Sequence, residues 1–371
     1  MRVLAFLLRV GFVVAVFSGV FALLDDGSPE QPHAASAARV VHRSPTKVVA
    51  RSAPTGSFTF SAVGDVMMGS TPNLPRDGGS TYFSRVASSI DADVALANLE
   101  GTLSTGGRSK CGAASTNCFA FHTPPSYARW LRLAGFTILN LANNHAADFG
   151  PVGRQQTLAA LARQRLRHTG RPGEITVLTV REIRVAVLGF APYPWAQSLT
   201  NIRAAKLLVA RAGKRADVVI VTMHAGAEGV SHLHVTPGTE TFLGENRGNP
   251  LAFAHAVVDA GADLVVGSGP HVLRGIEWYD GRLIAYSLGN FGGYGAFGLG
   301  GRLATTAILR VELRGDGRLV AARLVAARLI GAGVPALDPS RAAYSLVRSL
   351  SKADFGSAGA TVSRSGRIGR T

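Results

Sequence analysis

Six residues with ligand or acid–base chemistry, Asp65, Glu100, Asn144, His145, His224 and His271, lie far apart in the chain but follow one grammar. Each comes just after a short run of β-branched and other apolar residues. Phe58 to Val63 runs into Gly64-Asp65, and Val94 to Leu96 into Asn98-Leu99-Glu100. Phe136 to Leu141 runs into Asn143-Asn144-His145, Val218 to Met223 into His224, and Leu264 to Val266 into Gly267-Ser268-Gly269-Pro270-His271. Any one of these clusters by itself reads as a turn cap, a surface charge or a hydrogen-bonded histidine. Five of them at five strand ends converge on one rim if the strands are neighbours in a sheet. Carboxylate, amide and imidazole together make a mixed O/N donor set that suits Zn, Mn or Fe, as one or two divalent transition-metal ions. No thiolate joins the set, which disfavours a purely structural zinc site.

The elements that must position these residues alternate in type. Helical patterns at Ser126 to Leu133 and Pro250 to Asp259 precede buried runs, and Asn249-Pro250 places a cap residue before a first-turn proline. Alternating helix and buried strand indicates an α/β sheet, which binds ligands beyond the carboxyl ends of its strands. Hairpins intervene. Ile175 to Phe190 turns near Arg181-Glu182, Asp280-Gly281 is a type I′ signal, and Gly315-Asp316-Gly317 links two further runs. The mixture predicts an α/β (α+β) fold, a two-sheet sandwich flanked by helices, over residues 57–330.

The first residues speak to compartment. Arg2 and Arg9 precede an apolar run from Val10 to Leu24, and Asp25 and Asp26 follow it. That charge order leaves the N-terminus inside and the rest of the chain outside the membrane. Residues 1–24 read as an anchor helix, long enough if counted from Val3 with Arg9 snorkelling, or as a signal peptide removed near Ala35-Ser36-Ala37. Residues 25–56, rich in Ser, Ala, Pro and Arg, read as a disordered linker. Residues 331–371 read as a C-terminal extension whose stretch after Phe355 is a basic disordered tail. Cys111 and Cys118 are a disulfide candidate in an exported chain, closing a loop at a gain of about 2–3 kcal/mol. The net charge of +16, mostly arginine, would attract a polyanion. With no basic motif interleaved with aromatics and no recognisable nucleic-acid module, nucleic acid is not an expected partner.

The segments SAVGDVMMG, ALANLEG, LNLANNHAADFG, VTMHAGAE and DLVVGSGPHVLRGIEWYDGRLIAYSLGNF resemble the bacterial capsule-synthesis CapA family, associated with poly-γ-glutamate biosynthesis. The resemblance spans roughly residues 57 to 330 and implies a calcineurin-like metallophosphatase fold. It implies that Asp65 ligates a first metal, Glu100 bridges, Asn144 binds a second metal, and His224 and His271 complete the imidazole ligands. His145 becomes the proton donor to a leaving group. The implied activity is that of a metal-dependent hydrolase or transferase acting on a cell-envelope polymer; the alternative is a non-catalytic scaffold that holds the polymer. The implied partners are an anionic polymer such as poly-γ-glutamate, the membrane through the N-terminal helix, and other capsule-synthesis membrane proteins. The chain departs from the pattern in two places. Met67 stands two residues after the first aspartate where phosphatases carry histidine, and Gly269 stands where relatives often read the first histidine of histidine-proline-histidine. His232 and His234, in the loop after His224, read as loop histidines without a metal role.

Overall fold

A computed structural model describes residues 54–112, 118–296 and 299–371. The N-terminal anchor or signal, and all but the last residues of the linker, lie outside the described residues. In chain order the principal elements begin with β1 (Ser57–Met67), β2 (Val94–Leu99), α1 (Ala128–Leu133), β3 (Ile138–Asn140), α2 (Gly150–Arg163) and β4 (Arg167–Thr169). Next come β5 (Thr176–Val180), β6 (Ile183–Phe190), α3 (Ile202–Gly213), β7 (Val218–His224), α4 (Pro250–Asp259) and β8 (Leu264–Ser268). After these lie β9 (Ile276–Tyr279), β10 (Arg282–Ala285), β11 (Asn290–Gly293), β12 (Thr305–Arg314), β13 (Leu319–Ile330) and β14 (Val334–Leu337). The chain closes with α5 (Ala342–Phe355), β15 (Thr361–Val362) and β16 (Ile368–Gly369).

Two sheets result. The first has the order β14-β13-β12-β1-β2-β3-β4, with β11 pairing in parallel with the end of β1. The second runs β9-β10-β8-β7-β6-β5. In each sheet the strands that carry site residues are parallel neighbours: β1 with β2 and β2 with β3, and β7 with β8. Parallel pairing brings their carboxyl ends to one edge, as the sequence grammar required.

The period-2 alternation of the strands sorts their side chains. Phe58, Phe60, Val94, Leu96, Val185, Val187, Val218, Ile220, Leu264 and Val266 meet in one core between the sheets. Their sequence neighbours face outward. Ala95, Ala97 and Leu139 pack with Leu131 of α1 and Leu161 of α2, while Leu188, Val219, Val221 and Val265 pack with Val209 of α3 and Phe253 of α4. Burying each large apolar side chain stabilises the fold by about 1.5–3 kcal/mol. The predicted two-sheet sandwich flanked by helices is the observed architecture.

The local signals also fold as read. Asn249 caps α4 by accepting from the Ala252 amide, and Asp280-Gly281, both at positive φ, turns β9 into β10. Cys111 and Cys118 are disulfide-bonded. Strand β3 is shorter than the run Phe136 to Leu141, and the pattern from Ser126 begins as a 3-10 turn before α1.

The C-terminal expectation needs correction. The described residues, from 54 to 371, belong to one compact unit that continues past 330. Strand β14 extends the first sheet, and α5 follows it. The stretch after Phe355 is not a disordered tail. Strands β15 and β16 pair, and Ala360, Val362 and Ile368 are buried in the inter-sheet core beside Tyr344 and Val347 of α5. Their apolar residues stand singly among Ser, Arg and Gly, so no period marks them; docking supplies the burial. Leu324 of β13 donates to the Gly366 carbonyl and Ala360 to that of Ile276, which ties the segment down.

Candidate metal centre

The bend that aims Asp65 begins at Gly64. A Cβ there would lie 1.8 Å from the Gly289 carbonyl oxygen, so only glycine lets the two backbones pass. The Asp65 amide donates to that same carbonyl at 3.0 Å, and the register of β1 against β2 and β11 shifts beside it. Asp65 is completely buried. Its Oδ1 accepts from Asn98 Nδ2 at 2.8 Å and its Oδ2 from the Gly269 amide at 3.1 Å. Asn98 is itself fixed, because its Oδ1 accepts from Asn140 Nδ2 (2.9 Å) and Asn143 Nδ2 (3.1 Å). An amide chain at the ends of β2 and β3 therefore sets the carboxylate of β1.

Glu100 follows β2, held by its amide on the Val66 carbonyl. Its side chain is buried and neither carboxylate oxygen has a hydrogen-bond partner. His224, the last residue of β7, crosses from the second sheet. Its Nδ1 is 3.5 Å from Asp65 Oδ1 and its Nε2 is 3.9 Å from Glu100 Oε1. His271 sits after β8 in the left-handed region at φ 60°, a conformation unfavourable for a residue other than glycine. Its Nδ1 lies 2.8 Å from Asn290 Oδ1 and 3.3 Å from Asp65 Oδ2, and its Nε2 lies 3.6 Å from both Glu100 Oε1 and Glu228 Oε2.

The electrostatics follow from this crowding. Burial disfavours the Asp65 anion, but hydrogen bonds and charge from His224 and His271 outweigh it and hold the carboxyl below the usual range. Burial, reinforced by Asp65 and Glu228, pushes Glu100 well above it. Burial works against charge on His271, yet Glu100, Asp65 and Glu228 raise its affinity for a proton. His224, with burial dominant, is lowered and favours the neutral form. The cluster thus recruits positive charge.

A metal ion fits this donor set. Asp65, Glu100 and His224 each offer a ligand atom, all within 4.8 Å of one another, and the unpartnered oxygens of Glu100 are what such an ion would satisfy. Asn144, half-buried on the loop after β3, also has a buried side-chain oxygen without a hydrogen-bond partner. His145 beside it is differently held. Its Nδ1 lies 2.7 Å from Asp148 Oδ2, and the other Asp148 oxygen pairs with Lys110 at 2.6 Å. Burial lowers the His145 pKa against the pull of Asp148, and the charges of Lys110 and His271 add to the lowering.

Several members of this site were absent from the sequence reading. Asn98 and Asn143 stood in recognised clusters without a role. Asp148 had only its spacing of three residues from His145 as a signal. Glu228 and Asn290 stand inside the motifs VTMHAGAE and SLGNF but were given no role, while Arg247 comes from a connecting loop outside every motif. His232 and His234 face elsewhere: His234 Nδ1 pairs with Asp354 at 2.6 Å, and the His232 carbonyl accepts from Arg274. Met67 Sδ accepts from the Gly69 amide.

Comparison with known proteins fits the motifs. A capsule biosynthesis protein CapA from Bacillus anthracis is 30% identical over 80% of this chain and 74% of its own length. A PGA biosynthesis protein CapA from Bacillus subtilis is 33% identical over 43% of each chain. Among solved structures, a putative 5′-nucleotidase from Staphylococcus aureus aligns over 80% of this chain and 58% of its own, at 12% identity and a TM-score of 0.42. The model of the bacterial capsule synthesis protein PGA_cap matches residues 59–293, which takes in β1 through β11 and all six predicted site residues. With that match across most of the folded unit, the chain belongs to the bacterial capsule synthesis PGA_cap family.

Proposed function

We propose that this chain works outside the cytoplasmic membrane in the biosynthesis of capsule or poly-γ-glutamate, as a metal-dependent hydrolase or transferase acting on an anionic cell-envelope polymer. The observation that carries the reading is the buried Asp65–Glu100–His224 cluster, with its unpartnered Glu100 oxygens, in a member of a capsule-synthesis family. A bound divalent ion would supply Lewis-acid polarisation of a phosphoryl or acyl oxygen and a nucleophilic hydroxide near neutral pH. Asp65, Glu100, Asn144, His224 and His271 are the residues proposed to hold one or two ions. His145 engages Asp148 through Nδ1, which leaves Nε2 to exchange a proton with the leaving group. The arginine-rich surface favours a polyanionic substrate.

A non-catalytic polymer-binding scaffold is the second reading. It is favoured by Met67 and Gly269, which offer no imidazole at two positions where metallophosphatases carry one. Two measurements separate the readings. Asp65→Ala and His224→Ala should each lower the metal content of the purified protein by elemental mass spectrometry; unchanged content in both removes the metal site. Turnover of a phosphodiester or γ-glutamyl substrate by the metal-loaded wild type supports the enzyme, and its absence on all such substrates supports the scaffold.

A further inference from the structure

Arg247 is among the largest fully buried side chains of the molecule, and it belongs to none of the motifs that carry the family resemblance. A short hairpin, Thr241–Phe242 against Glu245–Asn246, delivers it to the rim. Its backbone is pinned on both sides: the amide donates to the Glu240 carbonyl, and the carbonyl accepts from Gly226. Glu240 is clamped in turn by the buried Arg274, through two bonds of 2.8 and 2.7 Å. The guanidinium is therefore placed by a rigid loop.

What it faces is the metal cluster. Nη2 lies 3.5 Å from His224 Nε2 and 3.5 Å from the Gly269 carbonyl oxygen. Nη1 pairs with Glu228 Oε1 at 2.7 Å, and the other oxygen of that carboxylate is 3.6 Å from His271 Nε2. Nε is buried without a partner. Glu100 and Arg247 stabilise each other's charged forms, so the guanidinium acts on the proposed bridging carboxylate as well. Gly269 is where relatives often place a histidine. Here its φ is +107°, and a Cβ would lie 3.0 Å from the Ala225 amide nitrogen and 3.2 Å from His224 Nε2, so a side chain would be both strained and crowded.

We propose that this site takes a single divalent ion and that the Arg247 guanidinium occupies the place of the second cation, between His224 and Gly269. The inference rests on the metal reading above and deepens it. A permanent positive charge within hydrogen-bond range of His224 Nε2 repels a second ion at short distance, in surroundings of reduced dielectric. The same charge neutralises Glu228 and offsets Glu100, which is the electrostatic service a second ion would give. Arginine suits the position because it cannot be deprotonated in a protein and its planar fork pairs with a carboxylate while buried.

The test is metal binding by the full chain, followed by equilibrium dialysis against Mn²⁺ and Zn²⁺ with elemental mass spectrometry. One ion per chain at saturation is expected, and this measurement needs no variant. Two ions per chain would overturn the inference while leaving the metal reading intact; no ion at all would overturn the metal reading itself. In a second arm, Arg247→Gln, checked for folding by circular dichroism, should bind its first ion about tenfold more tightly, because a like charge beside the site has gone. Arg247→Lys, which keeps the charge, should bind as the wild type does. Equal affinity in the wild type and Arg247→Gln would show that the guanidinium does not act on the ion, and would also overturn the proposal.

Discussion

At the scale of single residues, two adjacent side chains divide the proposed chemistry. Asn144 presents a buried, unpartnered amide oxygen, whereas His145 is held through Nδ1 by Asp148, which Lys110 and the Phe121 amide also engage. The role proposed for this imidazole, with Nδ1 engaged by Asp148 and Nε2 left over, is proton transfer to the leaving group. His145→Ala should lower kcat by about 10²–10⁴-fold with metal content nearly unchanged, measured on one preparation by turnover and elemental analysis. The loss should shrink on substrates whose leaving group needs no proton. Asp148→Asn should give a smaller loss of the same kind, since it removes the carboxylate that orients the ring but leaves the ring in place. Loss of metal from His145→Ala would instead make that residue a ligand.

At the scale of elements, the site depends on strands being held in register by polar ties at their opposite ends. Asp93, just before β2, accepts from both the amide and the hydroxyl of Thr59 in β1, each at 2.8 Å, and from Arg181 at 3.0 Å. Burial raises this carboxyl, but the Thr59 bonds and Arg181 outweigh it and the net shift is downward. An acid whose pKa is lowered on folding stabilises the fold above its unfolded value near 3.8, and the contribution is lost as pH falls through the folded value. Asp93→Ala should therefore cost about 2 kcal/mol at neutral pH in chemical denaturation, as expected for hydrogen bonds to a charged group. The gap between variant and wild type should narrow in acid below that value. A gap that stays constant down to strongly acid pH would show that packing, not the ionised carboxylate, carries the effect.

At the scale of the whole molecule, the question is which side of the membrane the folded unit occupies. Among the described residues no helix is long and apolar enough to span a bilayer. The proposed orientation, with the folded unit outside, rests on Arg2 and Arg9 before the apolar run Val10 to Leu24 and Asp25 and Asp26 after it. The Cys111–Cys118 disulfide is compatible with an oxidising compartment. Protease added to intact spheroplasts should digest the domain. Protection that persists until lysis would reverse the orientation.

The sequence by itself determined the strand and hairpin grammar, the sandwich class, the cap at Asn249, and the strand-end placement of Asp65, Glu100, His224 and His271. Each of these is encoded locally, by side-chain period, by turn chemistry, or by a polar residue ending an apolar run. Tertiary structure alone decided the rest. Glu228, Arg247 and Asn290 reach the rim from segments with no periodic signature, and the amide chain from Asn140 and Asn143 through Asn98 to Asp65 exists only because three parallel strands end together. The segment after Phe355 shows the same limit. Its three buried apolar residues are too sparse to announce a strand, and they fold because α5 and β13 present a surface on which their burial and backbone hydrogen bonds outweigh the cost of ordering the chain.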